Sequence, residues 1–273
     1  MFNGRVNAAL KLGAEGHGLA KRLACVHFPR IMNNITPTPA RPQARDFAHV
    51  EHWVFDLDNT LYPPACDLFA QIDQRMAEFI SAYLKLDMAE ARLIQKDFYV
   101  KHGTTLAGLM EVHGLEPGEF LAHVHKIDVS VVAPDPALGH AIAALPGAKM
   151  VFTNGSVAHA ENVLARLGIA DAFTGIYDIV TTGYAPKPAR LAYDRFLAAS
   201  GIMPSRAAMF EDIPRNLAVP HELGMKTVWV RPQEHGGAMA PERYQQLSHE
   251  GGEGPHIHHA TDDLKAFLEM LAR

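Results

Sequence analysis

Val54-Phe55-Asp56-Leu57-Asp58-Asn59-Thr60-Leu61 sets two carboxylates and a hydroxyl directly behind an apolar run. Side chains alternate along a strand, so Asp56 and Asp58 point the same way if the strand continues through them. If the strand stops first, a tight turn can bring both onto one ligand. Either way, two like charges this close repel unless a cation or a shared proton relieves them. A hard, oxygen-preferring ion suits such a pair, and Mg²⁺ is the expected one. Asp, Asn and Thr are also ordinary turn formers, so the reading depends on what accompanies the pair.

Three further sites accompany it, each behind a strand-like apolar run. Lys149-Met150-Val151-Phe152 leads into Thr153-Asn154-Gly155-Ser156 and an amphipathic stretch over 157–167. That order predicts strand, turn and helix, with the Thr153 hydroxyl and the turn amides placed to favour an anion. Ser156 could equally serve as a plain helix N-cap. Ile176-Tyr177-Asp178-Ile179-Val180 is followed by Lys187-Pro188. The proline suits the first turn of a helix running to Ser200, and the lysine can hold a phosphate as a point charge. Ala207-Ala208-Met209-Phe210 runs into Glu211-Asp212-Ile213-Pro214-Arg215-Asn216. Carboxylates so close to a buried strand are costly unless water or a metal receives them, which makes Asp212 the natural third metal oxygen.

Taken in order, the acid pair, the Thr-Asn turn, Lys-Pro and Glu-Asp-x-x-x-Asn resemble the four sequence motifs of the haloacid dehalogenase superfamily of phosphohydrolases, over roughly residues 53–230. The resemblance implies an α/β fold, a Rossmann-like parallel sheet with its site at the C-terminal ends of the strands. It also implies roles. Asp56 is the nucleophile that forms an aspartyl-phosphate, and Asp58 is the general acid and base. Asp56, Asp58 and Asp212 hold Mg²⁺, while Lys187, Thr153, Asn154 and Gly155 receive the phosphoryl oxygens. Thr60 supports the loop by hydrogen bonding, and Glu211 and Asn216 stand one layer behind the metal ligands. Asp58 also selects a branch. The dehalogenases that gave the superfamily its name lack an acid at that position and need no metal. P-type pumps place lysine beside the nucleophile, and sugar phosphomutases show Gly-Val where this chain has Asn59-Thr60. A phosphatase remains.

The roughly ninety residues between the first two motifs are far too many for a loop. Leu68, Phe69, Ile72, Met76, Phe79, Ile80 and Tyr83 recur at helical spacing, and further helical stretches fall near 89–102, 105–113 and 117–125. An inserted small α-helical cap is therefore expected over 65–134. The core would comprise 51–64 and 135–232, closed by a C-terminal loop and short helix over 233–273. Within the cap, residues 99–109 resemble a Tyr-x-x-x-Gly-Thr-Thr-x-x-Gly-Leu stretch of pyrimidine 5′-nucleotidases of yeast and plant type. That resemblance implies UMP or CMP as substrate, with Thr104, Thr105 and Tyr99 as candidates to meet the base or ribose. Gly103 and Gly108 would let the backbone turn and the helices approach closely. The plainer alternative is a helix–helix corner with capping threonines. Glu211 stands where Asp is common in that group.

Composition narrows the rest. The 273-residue chain is 48% apolar and 20% charged, and its net charge of -5 offers no general attraction to nucleic acid. No apolar run approaches the roughly 20 residues that span a bilayer. Cys25 and Cys66 are too few for a disulfide framework and point to a reducing, cytoplasmic setting, with Cys66 read as a small buried residue. The expected partner is a small phosphorylated metabolite, a nucleotide first, without nucleic acid or membrane and with the oligomeric state left open. Residues 1–50 lack a sustained hydrophobic period and read as a disordered or loosely packed extension, with Met32 as an alternative start. The His256-x-His258-His259 cluster reads as a solvated loop. A phosphatase for a sugar phosphate is the alternative function. A binding or regulatory protein on the same scaffold is disfavoured by the complete set of catalytic residue types.

Overall fold

The computed structural model describes residues 43–232 and 247–272. The first strand, β1 (His52–Phe55), is followed by four helices, α1 (Leu68–Leu84), α2 (Met88–His102), α3 (Thr105–His113) and α4 (Pro117–Val124). The chain then runs α5 (Pro136–Ala143), β2 (Ala148–Phe152), α6 (Val157–Leu167), β3 (Gly175–Tyr177), α7 (Arg190–Ser200) and β4 (Ala207–Glu211). It closes with α8 (Ala218–Glu222), β5 (Lys226–Val230), β6 (His259–Thr261) and α9 (Leu264–Leu271). The strands form one parallel sheet in the order β3-β2-β1-β4-β5-β6.

Alternation along each strand serves two apolar layers. Trp53, Phe55, Val151, Phe210 and Val228 pack with residues of α5, α6 and α9 on one face. Val54, Met150, Phe152, Met209 and Trp229 pack with Tyr193 and Phe196 of α7 and Leu217 on the other. With both faces covered, the strands read as the continuous apolar runs seen in the sequence. Winding proceeds outward from β1 to β2 and β3, then returns past β1 to β4. Folds of this kind bind ligands at the carboxyl ends of the strands where the order reverses, and the charged motif residues follow β1 and β4 at that point.

Helices α1–α4 enclose a core of their own, built on Ile72, Ile80, Phe98, Leu109, Phe120 and Val124, into which Ile179 inserts from the loop after β3. The corner between α2 and α3 depends on its glycines. Gly103 turns the chain with φ of 82°, which only glycine adopts freely. A Cβ on Gly108 would lie 2.4 Å from the Phe98 ring, so its absence lets the two helices close.

Four expectations need correction. Residues 43–50 are not a loose extension. Ala44–Phe47 forms a 3-10 turn, and Phe47 and Val50 are buried in the main core, with the Phe47 ring stacked on Trp53 at 5.9 Å. The histidine cluster is not a solvated loop either. His259 opens β6 and packs on Phe47 at 5.1 Å, and His258 Nδ1 lies 2.7 Å from Thr227 Oγ1. Helix α7 begins at Arg190, so Pro188 precedes the helix rather than occupying its first turn. Finally, Cys66 is half-buried rather than enclosed. Residues 1–42, with Met32 and Cys25, and residues 233–246 lie outside the described residues. No described helix is long and apolar enough to cross a membrane.

Candidate active site

Phe55 and Phe210 are partners across β1 and β4, so the residues that follow them emerge side by side. One oxygen from each of Asp56, Glu211 and Asp212 lies within 4.8 Å of the others, and all three residues are buried. Thr60 Oγ1 sits between two of them, 3.1 Å from Asp56 Oδ2 and 3.3 Å from Asp212 Oδ1. Lys187 enters from the loop after β3. Its Nζ donates to Asp56 Oδ1 at 2.6 Å, to Glu211 Oε1 at 2.9 Å and to the Phe152 carbonyl at 2.9 Å. Burial opposes the charge on Lys187, but Asp56 and Glu211 prevail and raise it above the ordinary lysine value. Burial, with Glu211 and Asp58 in addition, pushes the Asp56 carboxyl up to about 7 against the pull of Lys187.

One ammonium cannot neutralise Asp56 and Glu211 together, even before Asp212 is counted. A buried, all-oxygen donor set with excess negative charge fits a hard divalent cation such as Mg²⁺. Asp56 and Asp212 are the natural holders. Glu211 lies inside the cluster, yet both its oxygens are engaged: Oε1 accepts from Lys187 and from Asn216 Nδ2 at 2.6 Å, and Oε2 accepts from the Ile213 amide at 2.7 Å. It fixes the lysine, and Asn216 fixes it in turn.

The Asp58 side chain turns away from the carboxylate cluster rather than joining Asp56 and Asp212 there. Strand β1 ends at Phe55 and Asn59 turns the chain with φ of 63°, so Asp58 escapes the strand alternation. Its Oδ1 accepts from the Tyr62 hydroxyl at 2.5 Å and from His159 Nε2 at 2.7 Å. Burial would raise this carboxyl, but His159 and then Tyr62 hold it down to about 2. Neither partner figured among the sequence candidates. His159 did leave a signal, being a polar ring on the stripe of α6 that buries Ala160, Val163, Leu164 and Leu167. A polar group on such a stripe requires a partner.

The Thr-Asn-Gly turn comes together with Lys187, though not as three equal phosphate ligands. Thr153 Oγ1 accepts from the Gly155 amide at 2.9 Å, which commits that amide. Asn154 clamps the main chain of Lys187, its Oδ1 accepting from the amide at 2.8 Å and its Nδ2 donating to the carbonyl at 3.2 Å. Asn154 therefore positions the lysine loop.

Both cap threonine hydroxyls make hydrogen bonds within the cap. Thr104 Oγ1 caps α3 by accepting from the Ala107 amide at 3.0 Å, and Thr105 Oγ1 donates to the Gln95 carbonyl at 3.2 Å. Tyr99 reaches the core instead. Its hydroxyl accepts from Arg215 Nη2 at 2.8 Å, and the guanidinium carbon lies 5.8 Å from the ring centroid. This contact joins α2 to the segment just beyond Asp212.

The profile of a family described as haloacid dehalogenase-like hydrolase matches residues 50–224. Phosphate metabolism protein 8 of Saccharomyces cerevisiae is 29% identical over 134 residues, 45% of this chain and 41% of that protein. The chain thus spans less than half the length of that curated relative. The L-2-haloacid dehalogenase from Xanthobacter autotrophicus has a similar structure, with TM-score 0.53 and 16% identity, covering 81% of this chain and 98% of that one. The defluorinating L-2-haloacid dehalogenase Rha0230 gives TM-score 0.51 and 15% identity, covering 82% and 96%. At these identities the likeness is one of fold.

Proposed function

Because the chain belongs to the haloacid dehalogenase-like hydrolases, we propose that it is a Mg²⁺-dependent phosphatase of small phosphate monoesters, with pyrimidine nucleoside 5′-monophosphates first among them. The observation that carries the chemistry is the separation of two nearby aspartates. Asp56 lies against Lys187 in the carboxylate cluster, whereas Asp58 is pinned by one oxygen outside it. Asp58 is ionised in the free site, and the arriving phosphate's negative charge raises its proton affinity so that Oδ2 takes up a proton. Asp56 then attacks phosphorus, and the bond to the leaving oxygen breaks as Asp58 delivers that proton. Water then hydrolyses the aspartyl-phosphate and returns a proton to Asp58, so both carboxyl groups end as they stood before the attack. Splitting the reaction matters because phosphate monoesters present one of the largest uncatalysed barriers. When bound by Asp56 and Asp212, Mg²⁺ supplies charge that keeps Asp56 ionised and stabilises the transferring phosphoryl oxygens. Lys187 holds Asp56 in line, and Thr153 offers its hydroxyl to the phosphoryl group.

Asp58 favours a phosphate ester over a haloacid, since the dehalogenase branch lacks an acid there. The similarity to a yeast protein named for phosphate metabolism agrees with that class of chemistry. The nucleotide preference rests on the resemblance of residues 99–109 to the nucleotidase stretch. With the threonine hydroxyls committed inside the cap, we assign contact with the leaving group to Tyr99 and Arg215 at the seam.

The test is phosphate release from nucleoside monophosphates and sugar phosphates. UMP and CMP should exceed AMP and GMP in kcat/KM by at least about tenfold, or roughly 1.4 kcal/mol. Excess chelator should abolish turnover, Mg²⁺ should restore it, and Asp212→Ala should remove the restoration. Full activity in chelator would overturn the metal assignment. Equal cleavage of purine and pyrimidine nucleotides would end the nucleotidase reading and leave the phosphatase standing.

A further inference from the structure

We propose that His159 is a positioning residue for Asp58, and that His125, reaching across from the cap, holds His159 in place. The inference rests on the phosphatase reading above. His159 Nε2 and the Tyr62 hydroxyl meet the same oxygen, Asp58 Oδ1, at 2.7 and 2.5 Å. Two donors on one oxygen fix the carboxylate plane and assign the mobile proton to Oδ2, which makes no hydrogen bond among the described residues.

The environment of His159 is built around that one bond. The residue is 1% exposed, and its other ring nitrogen, Nδ1, is buried without a hydrogen-bond partner. In the neutral ring the hydrogen therefore belongs on Nε2, since an Nδ1–H would be orphaned while a lone pair faced a carboxylate.

His125 follows α4, the last helix of the cap. Its ring lies parallel to that of His159, with centroids 4.6 Å apart and 11° between planes. Its Nδ1 is 2.9 Å from Ser156 Oγ, and Ser156 caps α6 by accepting from the His159 amide at 3.3 Å. The cap thus grips both the face of the positioning ring and the helix end that carries it. Displacing the cap removes the stack and the Ser156 contact together, so the alignment of the acid is coupled to cap seating.

The experiment compares kcat/KM, which reports phosphoryl transfer to Asp56 rather than later hydrolysis, on two esters in excess Mg²⁺. An alkyl phosphate needs its leaving alkoxide protonated, whereas p-nitrophenyl phosphate releases a phenolate that is stable without an acid. His159→Leu should lower the alkyl value at least about thirtyfold and the aryl value less than about threefold, within the range of general-acid contributions. His159→Gln, whose side-chain amide nitrogen can reach the position of Nε2, should recover most of the alkyl rate. His125→Ala should show the same selectivity at about fivefold size. Equal losses on the two esters, or a Gln variant no better than Leu, would overturn the proposal in favour of simple packing. If His159→Leu does not fold, His125→Ala decides: a loss confined to the alkyl ester supports the coupling, and an equal loss or none overturns it. Cleavage of neither ester by the wild type would fell the phosphatase reading and this inference with it. Cleavage of both with unselective losses would remove the inference alone.

Discussion

The strand-end edge of the sheet and the α2–α3 corner of the cap both carry conspicuous sequence motifs, and they use their polar groups in opposite ways. At the corner, Thr104 caps α3, Thr105 satisfies the Gln95 carbonyl, and the two glycines serve close approach and a turn. At the edge, three carboxylates and Lys187 crowd one buried point, and Asp58 keeps one oxygen uncommitted. Folding alone gains nothing from crowding like charges in a low-dielectric setting. Perturbed groups of this kind mark a functional site, whereas fully satisfied groups mark a folding device.

The comparison breaks most easily at Asp56. Asp56→Asn keeps the size and removes the nucleophile, so turnover should fall at least about 10³-fold while the melting temperature holds. A variant within about tenfold of wild type would contradict the covalent route. Gly108→Ala should do the reverse. Its methyl group would meet the Phe98 ring, an overpacking cost of about 1–3 kcal/mol readable by denaturant titration, with kcat unchanged. A fall in kcat at constant stability would move the corner into the site. The smallest effect is expected for Thr104→Val, which removes a helix cap worth about 1 kcal/mol and should leave the ratio of UMP to AMP cleavage as it was. Collapse of that ratio would restore the threonine to substrate recognition.

The sheet was legible because each motif acid or hydroxyl follows an apolar run, as Asp56 follows Val54 and Phe55. The cap helices were legible because Ile72, Met76, Phe79 and Tyr83 keep a helical period over a long stretch. What escaped the sequence has physical causes. Strand β6 is three residues long and opens with a histidine, leaving no apolar signature. Phe47 and Val50 stand singly among polar residues, and the Phe47 ring is buried partly against Phe267, which is distant in sequence. The separation of Asp58 from the carboxylate cluster was hidden because the strand ends at Phe55 and the turn at Asn59 redirects the side chain. The partners that claim it, Tyr62 and His159, are set by where the turn at Asn59 and the first turn of α6 meet, which spacing along the chain does not encode. The role of Asn154 is hidden for the same reason: it binds the main chain of a residue 33 positions away.

In the proposed mechanism Asp56 itself carries the phosphoryl group. Enzyme turning over a phosphate monoester with Mg²⁺ can be quenched in acid within its turnover time, digested, and its peptides weighed by mass spectrometry. The account predicts one phosphoryl group on the peptide bearing Asp56 and none in the Asp56→Asn variant. Steady turnover with the phosphoryl group on another residue, or on no residue at all, would contradict it.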